Sequence, residues 1–523
     1  MLDRSPRRYP SLVRFGALAL AAASVAAACS SGDSALDIDQ AENTDPPVST
    51  SAAGTTADTS PADTSPGDTS PDETALASTT TQAPLAEFPD CPTDALDDAD
   101  GPVEITFWHG MNDVLEDSLI ALTDAYNATQ DRVRVTLQNQ TGYNETIDQF
   151  IQSSPSSRPV LVQFPEYTLQ SFAQSDTLVP IDACIGSSGY DTSQFIPRAL
   201  EAYTWQGIQW AMPFNVSNPV LYYIKPKFEA AGLDPEQTPI TLDELRETSQ
   251  QIVDNGAAAF GWVLDSGADS GGGWFIEQWF GRAGEPFADN GNGRDAPATE
   301  VYIDSPIGVE LLTFVQTMIN DGLAVSVGDN SSGTDVFLKL IDPAQDGAMT
   351  IGTSAALGGV IDAIGGGLAP GLTTDDVGIG PMPGPSSTPA VQVGGASLWI
   401  TADKDPIETS AAWDYITFLV SAQSQSEWAS TTGYVPIRTD ALELDPVATT
   451  YADDPRFKVA YDQLIGSVEG SASLAPVLGP QREVRVATAN ATAAIFGGAD
   501  VTSTLADAAA QANALIASYN QRN

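Results

Sequence analysis

An α/β fold, with helices layered on a largely parallel sheet, is predicted here by three observations. From about residue 100, strand-like runs alternate with amphipathic helical stretches. A second region beyond residue 240 repeats that habit, and the C-terminal third is mostly helical in pattern. The elements follow in order. Val103 to Trp108 alternates as a strand. Leu115, Leu119, Leu122 and Tyr126 recur at helical spacing, Val133 to Leu137 returns to strand, and Tyr143 to Ile151 to helix. Pro159 to Phe164 is an apolar run of the kind a buried strand presents. Thr241-Leu-Asp-Glu244 has the capping-box form, Leu242, Leu245, Ile252 and Val253 give that helix an apolar face, and Gly256 is placed to end it. A strand follows at Ala258 to Leu264. Further helices are expected at Ile307 to Asn320, Thr409 to Val420, Gln481 to Phe496 and Thr504 to Tyr519.

The N-terminus reads as an export signal over residues 1–28. Arg4, Arg7, Arg8 and Arg14 precede an apolar run, Phe15 to Ala28, that falls short of the roughly 20 residues a membrane span takes. The run ends Ala26-Ala27-Ala28-Cys29, similar to a bacterial lipobox with Ala where Leu is usual, so Cys29 is the expected lipid anchor. Residues 29–100 are rich in Ser, Thr, Asp, Ala and Pro, with Asp-Thr-Ser-Pro repeated at Asp58, Asp63 and Asp68. Such a stretch has little to bury against its ordering entropy and is expected to be a disordered tether. Cys91 and Cys184 remain. Outside the membrane such a pair most often forms a disulfide, with two separate buried thiols as the alternative.

The chain of 523 residues carries a formal charge of -48, 69 acids against 21 Lys and Arg, which repels nucleic acid and anionic lipid. Any anionic ligand has to be held by local donors. Catalytic equipment is sparse. The one histidine, His109, ends the first strand, and no zinc-spaced Cys or His set, phosphate loop or nucleophile elbow occurs. Acids are spread throughout, but nothing marks a glycosidase-type pair. No cofactor or metal is implied. Aromatic residues beside glycines and polar groups, Tyr143, Trp274, Trp399 and Tyr434, suit the apolar face of a polyol, although buried rings are more often core.

Four stretches carry a resemblance: Ile105-Thr-Phe-Trp-His109; Pro213-Phe-Asn-Val-Ser-Asn-Pro-Val-Leu-Tyr-Tyr223 with Ala230 to Gln237; Gly394-Gly-Ala-Ser-Leu-Trp399; and Thr432-Gly-Tyr-Val-Pro-Ile437. Together they resemble the extracellular solute-binding proteins of carbohydrate-type ABC importers, and within them the glycerol-3-phosphate-binding branch. The resemblance implies a two-lobe periplasmic-binding-protein type II fold, with ligand in the cleft and several hinge crossings. It places lobe 1 at 101–216 plus about 349–397 and lobe 2 at 217–348 plus about 398–523, with crossings at Pro213 to Tyr223, Ala348 to Ser354 and Gly394 to Ile400. It also implies ligand contacts from Tyr143, Glu166, Ser217, Trp274, Thr353, Gly395, Tyr434 and Arg485, with Arg482 the competitor for the last. Arg485 would clamp phosphate oxygens, Tyr434, Ser217 and the Gly395 N–H would donate, and Glu166 would accept from glycerol hydroxyls.

Gly271 stands where the family branch has a second tryptophan, three residues before Trp274. That substitution is expected to open the pocket toward a bulkier ligand, a glycerophosphodiester such as glycerophosphocholine. The expected partners are a small polyol phosphate or sugar, ABC permease subunits, and the membrane through the lipid only, with the chain a monomer. Neutral-sugar binding is the alternative within the class. A secreted carbohydrate-active enzyme and a surface adhesion or sensor domain are the readings outside it.

Overall fold

The computed structural model describes residues 90–523 apart from 331–332 and 343–345. The expected signal segment, Cys29 and most of the tether lie outside the described residues. Eleven strands form the two main sheets: β1 Val103–His109, β2 Val133–Asn139, β3 Leu161–Pro165, β4 Leu178–Val179, β5 Met212–Ser217, β6 Pro219–Ile224, β7 Phe260–Leu264, β8 Ala324–Ser326, β9 Gly347–Thr353, β10 Val377–Pro381 and β11 Gly394–Thr401. The first sheet runs β2-β1-β3-β11-β4 with β5 beside β11, and the second runs β8-β7-β9-β6-β10. The helices that bear on the site are α1 Asp113–Thr129, α2 Tyr143–Gln152, α3 Leu242–Asp254, α4 Trp274–Ala283, α5 Pro306–Asn320, α6 Asp335–Ile341, α7 Leu357–Gly365, α8 Pro406–Leu419, α9 Ala422–Thr432, α10 Gln481–Phe496 and α11 Val501–Asn520.

Local chemistry accounts for these elements. Every residue of β3 is buried, as its unbroken apolar run requires. α1 buries Leu119, Leu122 and Tyr126 along one stripe. The capping box of α3 forms as expected: Thr241 Oγ1 accepts from the Glu244 N–H at 3.2 Å, and the Glu244 carboxylate accepts from the Thr241 N–H at 3.1 Å.

Each sheet is mixed, where a largely parallel one was expected. β1 pairs in parallel with β2 and β3, as β7 does with β8 and β9. β11 is antiparallel to β3, β4 and β5, and β6 is antiparallel to β9 and β10. The reason is connectivity. β5 and β6 form one continuous extended run, Met212 to Ile224, that leaves the first sheet at Ser217 and enters the second at Pro219. Asn218 between them is fully buried, receives the Ser354 N–H at 2.9 Å and donates to the Ala460 carbonyl at 2.9 Å.

The division into lobes also differs from the expected one. β9 pairs with both β6 and β7, and β10 with β6, so 347–381 stays with the second sheet instead of returning at 349. The return comes between β10 and β11, and β11, α8 and α9 then belong with the first sheet. α10 and α11 pack on α5, on the side of the second sheet. The expected tether ends earlier than residue 100. Cys91 is bonded to Cys184, and Leu96 is buried with its N–H on Ser410 Oγ at 3.1 Å.

Candidate functional site

A cavity of about 640 Å³, a size typical of small-molecule sites, is lined by residues of both sheets. All eight residues that the resemblance implies lie on its wall: Tyr143, Glu166, Ser217, Trp274, Thr353, Gly395, Tyr434 and Arg485. Ser217 ends β5, Thr353 ends β9, Gly395 opens β11, and Tyr143 and Trp274 begin α2 and α4. Glu166 follows β3, Tyr434 follows α9, and Arg485 sits near the start of α10. The C-terminal ends of three strands, the start of a fourth and the N-terminal parts of three helices therefore converge here.

Arg485 is 3% exposed, and its guanidinium is already engaged. Its Nε and Nη2 donate in a fork to Glu277 at 2.9 and 2.7 Å, and Nη2 lies 3.0 Å from Glu166 Oε1. Nη1 lies 3.7 Å from Asp269 Oδ1, beyond hydrogen-bond range. The Tyr167 ring covers the guanidinium, with Cζ 5.0 Å from the ring centroid. Burial by itself would lower the pKa of Arg485, but Glu277 and Glu166 hold it well above the usual value. Burial raises the Glu166 carboxyl to about 7 against the pull of Arg485. The competitor Arg482 is absent from the cavity wall and instead pairs with Asp148 at 2.6 Å.

Neutral donors are supplied by a supported network. The Gly110 N–H donates to Gln163, Gln163 to Asn215 at 2.9 Å, and Asn215 to the Tyr143 hydroxyl at 2.8 Å. The Tyr143 and Tyr434 hydroxyls lie 3.4 Å apart, and the Tyr434 ring stacks on Trp428. Burial raises the pKa of both tyrosines, so both stay protonated donors at neutral pH. Gly395 is fixed by its backbone. Its φ of +96° suits glycine, and a Cβ would fall 1.9 Å from the Asn215 carbonyl oxygen.

One reading needs correction, and two residues left open by the sequence are settled as structural. Gly271 does not open this cavity. It is not on the wall, and a Cβ there would point at the Asp265 carbonyl, 2.2 Å away, so its glycine serves the tight loop before α4. Trp399 is core, 1% exposed, with its Nε1–H on Ser397. His109 is buried, accepts the Met111 N–H, and is lowered to about 4 by burial, so it is a neutral structural side chain.

Two residues escaped the sequence reading. Glu277 is 1% exposed within Trp-Phe-Ile-Glu-Gln-Trp-Phe, and an acid inside so apolar a helix requires a cationic partner. That pattern was a usable signal. Asp269, in a glycine-rich loop, offered none. The charged side chains on the wall are Asp113, Glu166, Asp269 and Arg485, one cation against three acids. A second compartment of about 530 Å³ shares Asp269, Trp274, Phe337 and Thr353 with the first and adds Asp265, Asp329 and Asn330. No lysine or arginine lines it. Among the described residues no acid, His or Cys cluster is arranged to hold a metal, and no helix is long and apolar enough to cross a membrane.

Two sheets joined by crossing strands, with a cavity walled by both, define a two-lobe α/β binding protein of the type that serves ABC importers. The chain belongs to the bacterial extracellular solute-binding protein family, whose model matches residues 121–459. It is similar to the sn-glycerol-3-phosphate-binding periplasmic protein UgpB of Pectobacterium atrosepticum, 27% identical over 437 residues, 81% of this chain and 93% of that one. The protein of that name from Salmonella typhimurium is 28% identical over 374 residues, covering 69% and 80%. Among solved structures, UgpB from Mycobacterium tuberculosis in complex with glycerophosphocholine matches with a TM-score of 0.64 and 23% identity, over 80% of this chain and 99% of that one. The GacH receptor of Streptomyces glaucescens matches with a TM-score of 0.65 and 19% identity, over 80% and 100%. These relatives are solute-binding proteins, not enzymes.

Proposed function

We propose that this protein captures a glycerophosphodiester, of which glycerophosphocholine is the type, in preference to glycerol-3-phosphate, and delivers it to a membrane permease. The observation that carries the reading is the convergence of Arg485, Tyr143, Tyr434, Ser217, Gly395 and Glu166 on one cavity. In that arrangement Arg485 Nη1 and the tyrosine hydroxyls serve the phosphate, and Glu166 accepts from the glycerol. The relatives named for sn-glycerol-3-phosphate support a glycerophosphate head. Charge supports the diester. A phosphomonoester takes its second negative charge near pH 6, whereas a diester keeps one. Three acids around a single arginine penalise the second charge, and the acidic adjoining compartment suits a cationic substituent.

Calorimetric titration with both ligands at pH 6 and pH 8 tests this. The diester should bind more tightly at pH 8. The gap should narrow at pH 6, where Glu166 and the monoester both gain protons. Tighter binding of glycerol-3-phosphate at pH 8 would count against the reading.

A neutral sugar is the second reading, favoured by the closure of Arg485's fork on Glu277. A sugar should bind with little dependence on the charge at residue 485. Lipidation of Cys29, a monomeric state and docking on permease subunits complete the proposal. Release of a Cys29→Ser variant from the membrane fraction checks the first of these.

A further inference from the structure

Two kinds of wall meet in the 640 Å³ cavity. Most of the polar groups come from α2, the turn after β3, β5, β9, β11, the loop before α4, the segment after α9, and α10. Another part of the wall is mainly apolar, with Val114 and Leu115 from α1, Phe337 and Leu338 from α6, Val360 from α7, and Leu368 beyond it, beside Asp113 and Thr334. None of these segments takes part in the hydrogen bonds and ion pairs around Arg485 described above. Leu338 is 36% and Leu368 57% exposed, so two large apolar side chains stand open to solvent on the wall of a binding cavity.

A wholly hydrophilic ligand leaves such a wall facing water. The flat aromatic faces of the cavity, Tyr143, Tyr167, Trp274 and Tyr434, suit the polar end of a ligand, whereas Leu338, Val360 and Leu368 offer branched aliphatic surface that no hydroxylated ring needs. An alkyl or acyl chain matches it. We infer that the cavity takes an amphipathic ligand, with its polar head among Arg485, Tyr143 and Tyr434 and a short hydrocarbon chain along Leu338, Val360 and Leu368. For the identity of the head group this rests on the proposed function; the apolar half does not. The ligand class is then a monoacyl or monoalkyl glycerophosphodiester, as released from membrane lipid by removal of one chain.

The test compares sn-glycero-3-phosphocholine with its 1-hexanoyl ester, below the ester's micelle concentration, by calorimetry on the wild type, Leu338→Asp and Leu368→Asp. Both leucines are partly exposed, so the variants should fold. Each buried methylene contributes a few-fold in affinity, so the ester should bind at least about tenfold more tightly than its parent. The aspartate variants should abolish that gain, so that on each variant the ester binds no more tightly than the parent measured on the same variant. If the parent binds and the ester binds no better, the inference is overturned and the proposed function stands. If neither binds, the head-group reading fails, and methyl and hexyl maltoside take their place. A chain-length gain that the variants abolish then supports the apolar compartment, and a flat response overturns it.

Discussion

Arg485 sits among Glu277, Glu166 and Asp269, and these three acids divide the work. Glu277 closes the fork and aims the guanidinium. It also accepts from Gln481 at 2.6 Å, which ties α10 to α4. Removing one partner of a buried pair typically costs about 3–5 kcal/mol. Because Glu166 stays beside the arginine, Glu277→Ala should fall at the low end, about 3 kcal/mol in urea unfolding. A loss below about 1 kcal/mol, the worth of a surface pair, would contradict this account. Glu166 gives a pH signature. Its folded pKa is raised from 4.5 to about 7, so its proton stabilises the folded protein fully below pH 4.5, and that contribution is lost as pH rises through about 7. The ligand-free wild type should therefore lose stability relative to Glu166→Gln between pH 5 and pH 8. Parallel pH profiles for the two proteins would refute the assignment. The family resemblance, carried over position by position, was enough to name eight wall residues. They did not reveal that Arg485 is already paired, since Glu277 lies more than 200 positions away.

At the scale of elements, local signals carried far. The strand at Val103, the capped helix at Leu242 and the helices at Gln481 and Val501 fall within a few residues of expectation, because each carries its own periodicity or cap. The partners of β9 and β10 were not legible. An apolar run such as Gly347 to Thr353 fits either sheet, and only pairing with β6 and β7 decides it. Gly271 failed for a similar reason, since matching it by sequence could not show that its loop turns toward Asp265. The disulfide anchors the domain's first residues over a separation of 93 residues. Closing a loop of that length restricts the unfolded chain by about 4–5 kcal/mol on the entropy model. Paired replacement of Cys91 and Cys184 by Ala should lower unfolding stability by a similar amount. A change below about 1 kcal/mol would show that the unfolded state gains no constraint from the bond.

At the scale of the whole molecule, two sheets share one cavity, and continuous extended chain at Asn218 links them. Ligand held from both sides favours the closed arrangement, because only that arrangement makes every contact at once. Under the proposed function, binding and closure would be a single event that a permease can read. The central claim is that a small phosphodiester is held in this cavity by the guanidinium of Arg485. Calorimetric titration of glycerophosphocholine into the wild type and Arg485→Lys tests it most directly, since lysine keeps the charge among the acids but lacks the planar fork. The account predicts a single saturable site in the wild type, with affinity about thirtyfold or more weaker in the variant, the scale of a lost buried charge-assisted contact. Equal affinity in the two proteins, or no saturable binding in the wild type, would contradict it.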